Sequence, residues 1–122
     1  MLRTIADLVR IALTATAVNR ARVHRAPAAL IAALRRRGQR AVRRSPVERR
    51  RLQRLIRAID RCFPSGPNCY RRVLVEVTLD RGAAEESVCF GLDAKGGPRS
   101  GHVWLSLSDD RGSAAYDAEF AV

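Results

Sequence analysis

The sequence predicts an α+β fold, with helices in the first half of the chain and strands in the second. Up to about residue 61 the apolar residues recur at helical spacing, whereas after about residue 87 apolar and polar residues alternate. A chain of 122 residues has the length of one domain with a modest core. We therefore expect one structural domain made of a helical region, residues 1–61, and a second region, residues 62–122.

Three helices are expected in the first region. Apolar residues at helical spacing predict an amphipathic helix from Leu2 to about Arg22; they are Leu2, Ile5, Leu8, Val9 and Leu13. Pro27 is well placed to begin a second helix, because proline is favoured at the first helical position. The run Ser45-Pro46-Val47-Glu48 combines an N-cap serine, a proline and the glutamate of a capping box, so a third helix should extend to about Arg61.

The second region begins with a loop and an ambiguous segment. Residues 63–68 contain two prolines and a glycine, and Asn68 is a good N-cap for a helix that follows them. The β-branched alternation from Val73 to Leu79 favours a strand. A helix ending near Arg81-Gly82 is the alternative, because glycine is a common helix stop. The helix is favoured if Cys69 is a nucleophile, because a helix start stabilises a thiolate. Strands are expected further on, over Ser87–Leu92, Gly101–Ser108 and Ala114–Val122.

The last two strands are expected to form a hairpin around residues 109–112. In that register His102 lies opposite Glu119, and Asp117 is its diagonal neighbour. Because strand side chains alternate, one face would carry His102, Trp104, Asp117 and Glu119. The other face would be a core face made of Val103, Leu105, Leu107, Tyr116, Ala118 and Phe120.

Charge is distributed unevenly along the chain. Residues 1–61 contain 17 arginines against three acidic residues, whereas residues 62–122 contain six basic residues against nine acidic ones. The first region therefore suits an acidic or polyanionic partner. Two alternatives remain open. Lys95 is the only lysine, so codon bias of a GC-rich genome also explains the arginines. A nucleic-acid-binding module is less favoured, because that half lacks aromatic residues for stacking and any recognisable reading motif.

The three cysteines are Cys62, Cys69 and Cys89, an odd number in a chain without a convincing export signal. We therefore expect a cytoplasmic protein with free thiols and no disulfide framework. Zinc is a rival use of these cysteines together with His102. Their spacing matches no paired-ligand motif, so neither a metal nor another cofactor is expected.

Three side chains of the second region have the order of a cysteine-protease triad. Cys69 stands where a helix would begin, and the positive end of the helix dipole favours a thiolate there. The amides of that first helical turn could also hold an oxyanion. His102 and Asp117 lie on the expected hairpin, where a general base and its orienting acid could meet. Each residue taken alone is more often part of the packing, so the prediction depends on the combination.

Several short motifs resemble one family. They are Arg61-Cys62-Phe63-Pro64, a helix that follows Cys69 and ends in Arg81-Gly82, Phe90-Gly91-Leu92, and Gly101-His102-Val103-Trp104-Leu105. From about Pro27 to the end, the chain resembles the stand-alone leader peptidases of lasso-peptide maturation, which are transglutaminase-like cysteine proteases. The resemblance implies a transglutaminase/papain-like domain for residues 62–122, with Cys69 as nucleophile, His102 as base and Asp117 as acid. Asp109, Asp110 and Glu119 remain alternative acids.

The resemblance also implies a substrate and partners. The substrate would be a ribosomally synthesised lasso precursor, from which the protease removes the leader peptide. A separate leader-recognition protein would present the precursor, and an ATP-dependent cyclase would take the freed core peptide. A catalytically inactive scaffold of the same fold is a further alternative.

Overall fold

The computed structural model describes residues 2–92, 101–108 and 118–122. In these ranges helices precede an antiparallel sheet, which confirms the predicted α+β class. The helices are α1 (Leu2–His24), α2 (Pro27–Gly38), α3 (Pro46–Asp60), α4 (Cys69–Leu79) and α5 (Arg81–Ala84). The strands are β1 (Val88–Leu92), β2 (Gly101–Leu105) and β3 (Ala118–Ala121).

The predicted helix starts are confirmed. Pro27 and Pro46 are the first residues of α2 and α3. The hydroxyl of Ser45 accepts a hydrogen bond from the Glu48 amide at 3.3 Å, so serine caps α3. Although α1 contains 23 residues, no helix in the described part of the chain is long and apolar enough to span a bilayer.

The ambiguous segment after Asn68 forms α4, so its helical alternative is correct. The Asn68 side chain caps this helix by accepting a hydrogen bond from the Arg71 amide at 2.9 Å. Valines 73, 75 and 77 and Leu74 are all buried, because α1, α2, α3, α5 and β2 pack around α4. Packing on every side outweighs the strand propensity of the valines. The helix that begins with Cys69 is therefore the centre of the molecule.

The backbones of α2 and α4 approach each other closely at Gly38. A Cβ atom built on Gly38 would lie 1.8 Å from the carbonyl oxygen of Val77 and 2.8 Å from the Ala84 Cβ. Real Cβ atoms do not come this close to backbone, so glycine is required at this crossing. This single residue thus determines how deeply α2 seats against α4.

The buried face of α1 differs from the apolar stripe that predicts the helix. Ile11, Ala15 and Val18 face the core, with exposed fractions of 1%, 3% and 2%. Ile5, Val9 and Leu13 are instead exposed. Apolar residues occupy both sides of α1, so periodicity alone identifies the helix but not the face that packs.

The strand order is β2-β1-β3, and both outer strands are antiparallel to β1. The predicted hairpin, in which β2 and β3 would be neighbours, is therefore wrong. β1 contains no charged residue, and Val88 at its start is fully buried, so β1 suits the central position. Three members of the predicted core face are also exposed: Leu107 at 84%, Phe120 at 51%, and Ala118. Tyr116 lies outside the described residues.

Register nevertheless keeps part of the predicted polar face together. Gly91 of β1 pairs with His102 on one side and with Glu119 on the other, so these three residues share a face. His102 and Glu119 are consequently two strands apart and not directly opposite, as the hairpin would require. Trp104 lies on the same face, across from Cys89.

Candidate functional site

Cys69 is the first residue of α4 and is partly accessible. Its side chain lines a small cavity of about 30 Å³ between α3, α4 and β2. That volume is enough for one water-sized group. The other walls are formed by Gln53, Ile56, Arg57, Arg72, Val73, Glu76 and Val103. The predicted position of Cys69 at a helix start is thus confirmed.

Burial changes the acidity of two groups near Cys69. Glu76, in the wall of the cavity, is mostly buried, which raises the pKa of its carboxyl group, and the hydrogen bond from Arg49 opposes this shift. Burial likewise raises the pKa of the Tyr70 phenol. The Tyr70 hydroxyl is buried without a hydrogen-bond partner in the part of the chain that the structure describes. Two side chains of α4 near Cys69 thus carry polar groups that are shielded from solvent, whereas Cys69 itself is partly accessible.

A buried ion pair positions the loop before Cys69. The Arg71 guanidinium lies 2.6 Å from the Asp60 carboxylate, and both side chains are almost completely buried. Arg71 also donates a hydrogen bond to the carbonyl of Gly66 at 2.8 Å. The other carboxylate oxygen of Asp60 accepts from the Asn68 amide at 2.9 Å. The end of α3, the loop and the cap of α4 are thus connected through one pair of charges.

Sequence reasoning does not identify this pair. Arg71 is two residues from the proposed nucleophile and resembles any of the surface arginines. It also stacks over the Phe63 ring at 3.8 Å and donates to the Asn19 side chain at 2.9 Å. No local pattern distinguishes Arg71 from Arg72, the next residue of α4, so the buried partner could not have been found from the sequence.

We expect Arg71→Met to lower the free energy of unfolding by about 3–5 kcal/mol, because it leaves the Asp60 carboxylate buried without its partner. Arg72→Met is the matched control. Arg72 is the next residue, is partly exposed, and approaches Asp60 only at 4.0 Å. Its replacement should change the free energy by less than about 1 kcal/mol. Urea unfolding measures both variants; equal losses would show that the buried pair does not hold the loop.

His102 lies on β2 with its ring stacked against Trp104, at 5.8 Å between ring centroids. The next residue, Val103, lines the Cys69 cavity and pairs with Phe90, whose ring contacts Tyr70 of α4. Because side chains alternate along a strand, His102 is on the reverse face of the sheet. The Cys69 thiol is therefore on the side of β2 that carries Val103, whereas the imidazole of the neighbouring His102 is on the opposite side.

Cys89 shares the sheet face of His102, because it pairs with Trp104, two residues along β2 from His102. Glu119 is exposed on the same face. Asp117, Asp109 and Asp110 lie outside the described residues. No group of three or more histidine, cysteine, aspartate or glutamate side chains in the described ranges could hold a metal ion. A rival thiol therefore stands closer to the predicted base than the sequence suggests.

The remaining candidates, Cys62 and His24, do not line the Cys69 cavity. Cys62 is exposed, and its thiol contacts the Ala58 carbonyl of its own helix at 3.4 Å. His24 is exposed at the end of α1.

No family model, curated protein or solved structure matches the chain. The function of the protein must therefore be inferred from its own side chains.

Proposed function

We propose that this protein is a cysteine peptidase that removes the leader peptide from a ribosomally synthesised lasso precursor. The observation that carries the proposal is the position of Cys69, which is partly accessible, begins the central helix and lines a cavity. Cysteine nucleophiles are activated in such settings. The resemblance in short motifs supports the choice of substrate.

In the proposed reaction His102 takes the proton of the Cys69 thiol, and the resulting thiolate attacks the carbonyl carbon of the last leader residue. The first amides of a helix have no acceptor within it. The amides of Cys69 and Tyr70 are therefore suited to stabilise the oxyanion of the tetrahedral intermediate. The C–N bond then breaks, His102 protonates the departing amine, and the leader remains as a thioester. Water hydrolyses the thioester and releases the leader with a free carboxylate.

The geometry supports the nucleophile more directly than the base. For the imidazole of His102 to reach Cys69, it must pass around the outer edge of β2. β2 is an edge strand of the described sheet, so no neighbouring strand of that sheet blocks this route. In the proposal, Asp117 accepts a hydrogen bond from the second imidazole nitrogen and orients the ring.

The proposal includes partners and a compartment. A separate leader-recognition protein presents the precursor, and an ATP-dependent cyclase closes the freed core peptide. Thiol catalysis requires a reduced cysteine, which fits the reducing cytoplasm. No disulfide joins the three cysteines, all of which lie in the described part of the chain.

We expect the isolated protein to cleave its precursor slowly and an added leader-recognition protein to increase the rate. Salt should weaken this increase, because charges about 10 Å apart are screened at 0.1 M ionic strength. Mass spectrometry of the precursor detects the two fragments. Absence of cleavage with the partner present would reject the peptidase. Tight binding of duplex DNA at physiological salt without any cleavage would support the nucleic-acid alternative.

A further inference from the structure

A second and larger cavity, of about 460 Å³, lies between the start of α3, the loop before it and the end of β2. Arginines dominate its charged lining; the charged residues are Arg43, Arg44, Arg49, Arg50, Arg57 and Asp80. We name this cavity the basic groove. Five guanidinium groups and one carboxylate therefore line the basic groove.

Part of this positive charge is neutralised inside the protein. Arg49 binds Glu76 at 2.8 Å and also contacts Asp80 and Glu86. Arg43 pairs with Glu85 at 2.5 Å. The charges of these two arginines are therefore paired within the protein. Three of the carboxylates that they bind, Glu76, Asp80 and Glu86, are buried.

Arg44 and Arg50 are different. The Nε atom of Arg44 is buried and has no hydrogen-bond partner among the described residues. Arg50 is exposed on α3 and forms no ion pair with any residue in the described ranges. Arg44 likewise forms no ion pair with a described residue, and a guanidinium group without a carboxylate partner can bind one that enters the groove. The groove thus keeps two positive charges available for a ligand.

The basic groove continues into the Cys69 cavity. Gln53 and Arg57 line both spaces. Arg50, Gln53 and Arg57 are spaced by three and four residues and so lie along one face of α3. From Arg50 to Arg57 the helix rises about 10 Å. An extended peptide covers that distance with about three residues.

We propose that the basic groove binds an acidic segment of the peptide substrate, with carboxylates on Arg44 and Arg50, within about three to five residues of the bond that Cys69 attacks. The statement that Cys69 attacks a nearby peptide bond rests on the proposed function. Arginine suits carboxylates because its planar fork can bind both oxygens. The described lining of the groove contains no aromatic side chain on which a nucleotide base could stack. An acidic peptide therefore fits better than a single-stranded nucleic acid.

Binding tests the groove without requiring catalysis. The full chain carrying Cys69→Ala is titrated against a fluorescein-labelled hexapeptide with three glutamates, and against its glutamine counterpart, by fluorescence anisotropy. Each exposed ion pair contributes a factor of about two to five in affinity. Adding Arg44→Gln and Arg50→Gln together should therefore weaken binding of the glutamate peptide about tenfold. The glutamine peptide should bind weakly to both proteins.

Arg54→Gln is the matched control, because Arg54 is exposed on the same helix but does not line the groove. It should leave the affinity unchanged. Equal weakening by Arg54→Gln, or none by the double substitution, would overturn the inference. Single-stranded RNA that binds more tightly than the glutamate peptide, with the same dependence on Arg44 and Arg50, would also overturn it.

Turnover of the precursor separates this inference from the proposed function. With Cys69 intact, the double substitution should raise KM about tenfold and change kcat little, because the arginines bind ground state and transition state alike. Glutamate-dependent binding without any cleavage by the native chain, even with the leader-recognition protein present, would reject the peptidase and leave the groove supported. Cleavage that is indifferent to the double substitution would reject the groove alone.

Discussion

Replacing Cys69 with alanine should abolish leader removal and leave the fold intact. Its thiolate is the proposed nucleophile, and no other group of the mechanism can form the thioester. Cys69 is partly accessible at the first position of α4, so removing the sulfur leaves no large void in the core. Mass spectrometry of the precursor measures the loss of cleavage, and a circular dichroism melt shows whether the variant remains folded.

Cys62→Ala and Cys89→Ala are the controls, and both should keep most of the activity. Cys89 is the more demanding control, because it shares a sheet face with His102 while Cys69 does not. Cleavage by the Cys69→Ala variant would refute the proposed nucleophile. An inactive Cys89→Ala variant beside an active Cys69→Ala variant would move the reaction to the reverse face of the sheet. Equal damage by all three substitutions would indicate packing or a metal.

The second large effect is expected at Asp117. Losing the acceptor that orients His102 should slow cleavage by about 10⁴-fold, as in the serine-protease triad. Asp117→Asn removes the negative charge with almost no change of size, and its amide group can hold the imidazole of His102 in the wrong tautomer. Glu119→Gln should be mild, because β1 separates Glu119 from His102. With neighbouring strands about 4.8 Å apart, the backbones of these two residues are about 10 Å apart.

Comparing Asp117→Asn with Glu119→Gln in the cleavage assay therefore tests the third residue. Asp109→Asn and Asp110→Asn complete the set, since both residues remain alternative acids. A harmless Asp117→Asn beside an inactive Glu119→Gln would assign the acid to Glu119. It would also require His102 to approach Glu119 across the space above Gly91.

Local signals in the sequence predict the helical part of the fold well. Ser45, Pro46 and Asn68 act through hydrogen bonds and backbone angles within a few residues, so their effect does not depend on distant parts of the chain. The same is true of Cys69 at the start of α4. Its position follows from the Asn68 cap, and the nucleophile part of the candidate site could therefore be predicted.

Features that depend on distant pairing could not be predicted in this way. The hairpin prediction assumes that strands adjacent in the chain are adjacent in the sheet, whereas β1 pairs on both sides. The position of His102 relative to Cys69 depends on that strand order. The ion pair of Asp60 and Arg71 joins residues on two helices across a loop, and no local pattern indicates it. Tertiary packing thus determines the strand order, the position of His102 and this ion pair.

The close contact of Gly38 with α4 affects how mutational data on this protein should be interpreted. Any side chain at this position would meet the Val77 carbonyl oxygen and push α2 away from the helix that begins with Cys69. Such a variant would lose activity with every reactive group still present. A random mutagenesis screen scored by activity alone would therefore group Gly38 with the catalytic residues. Only a parallel measurement of folding would separate the scaffold from the chemistry.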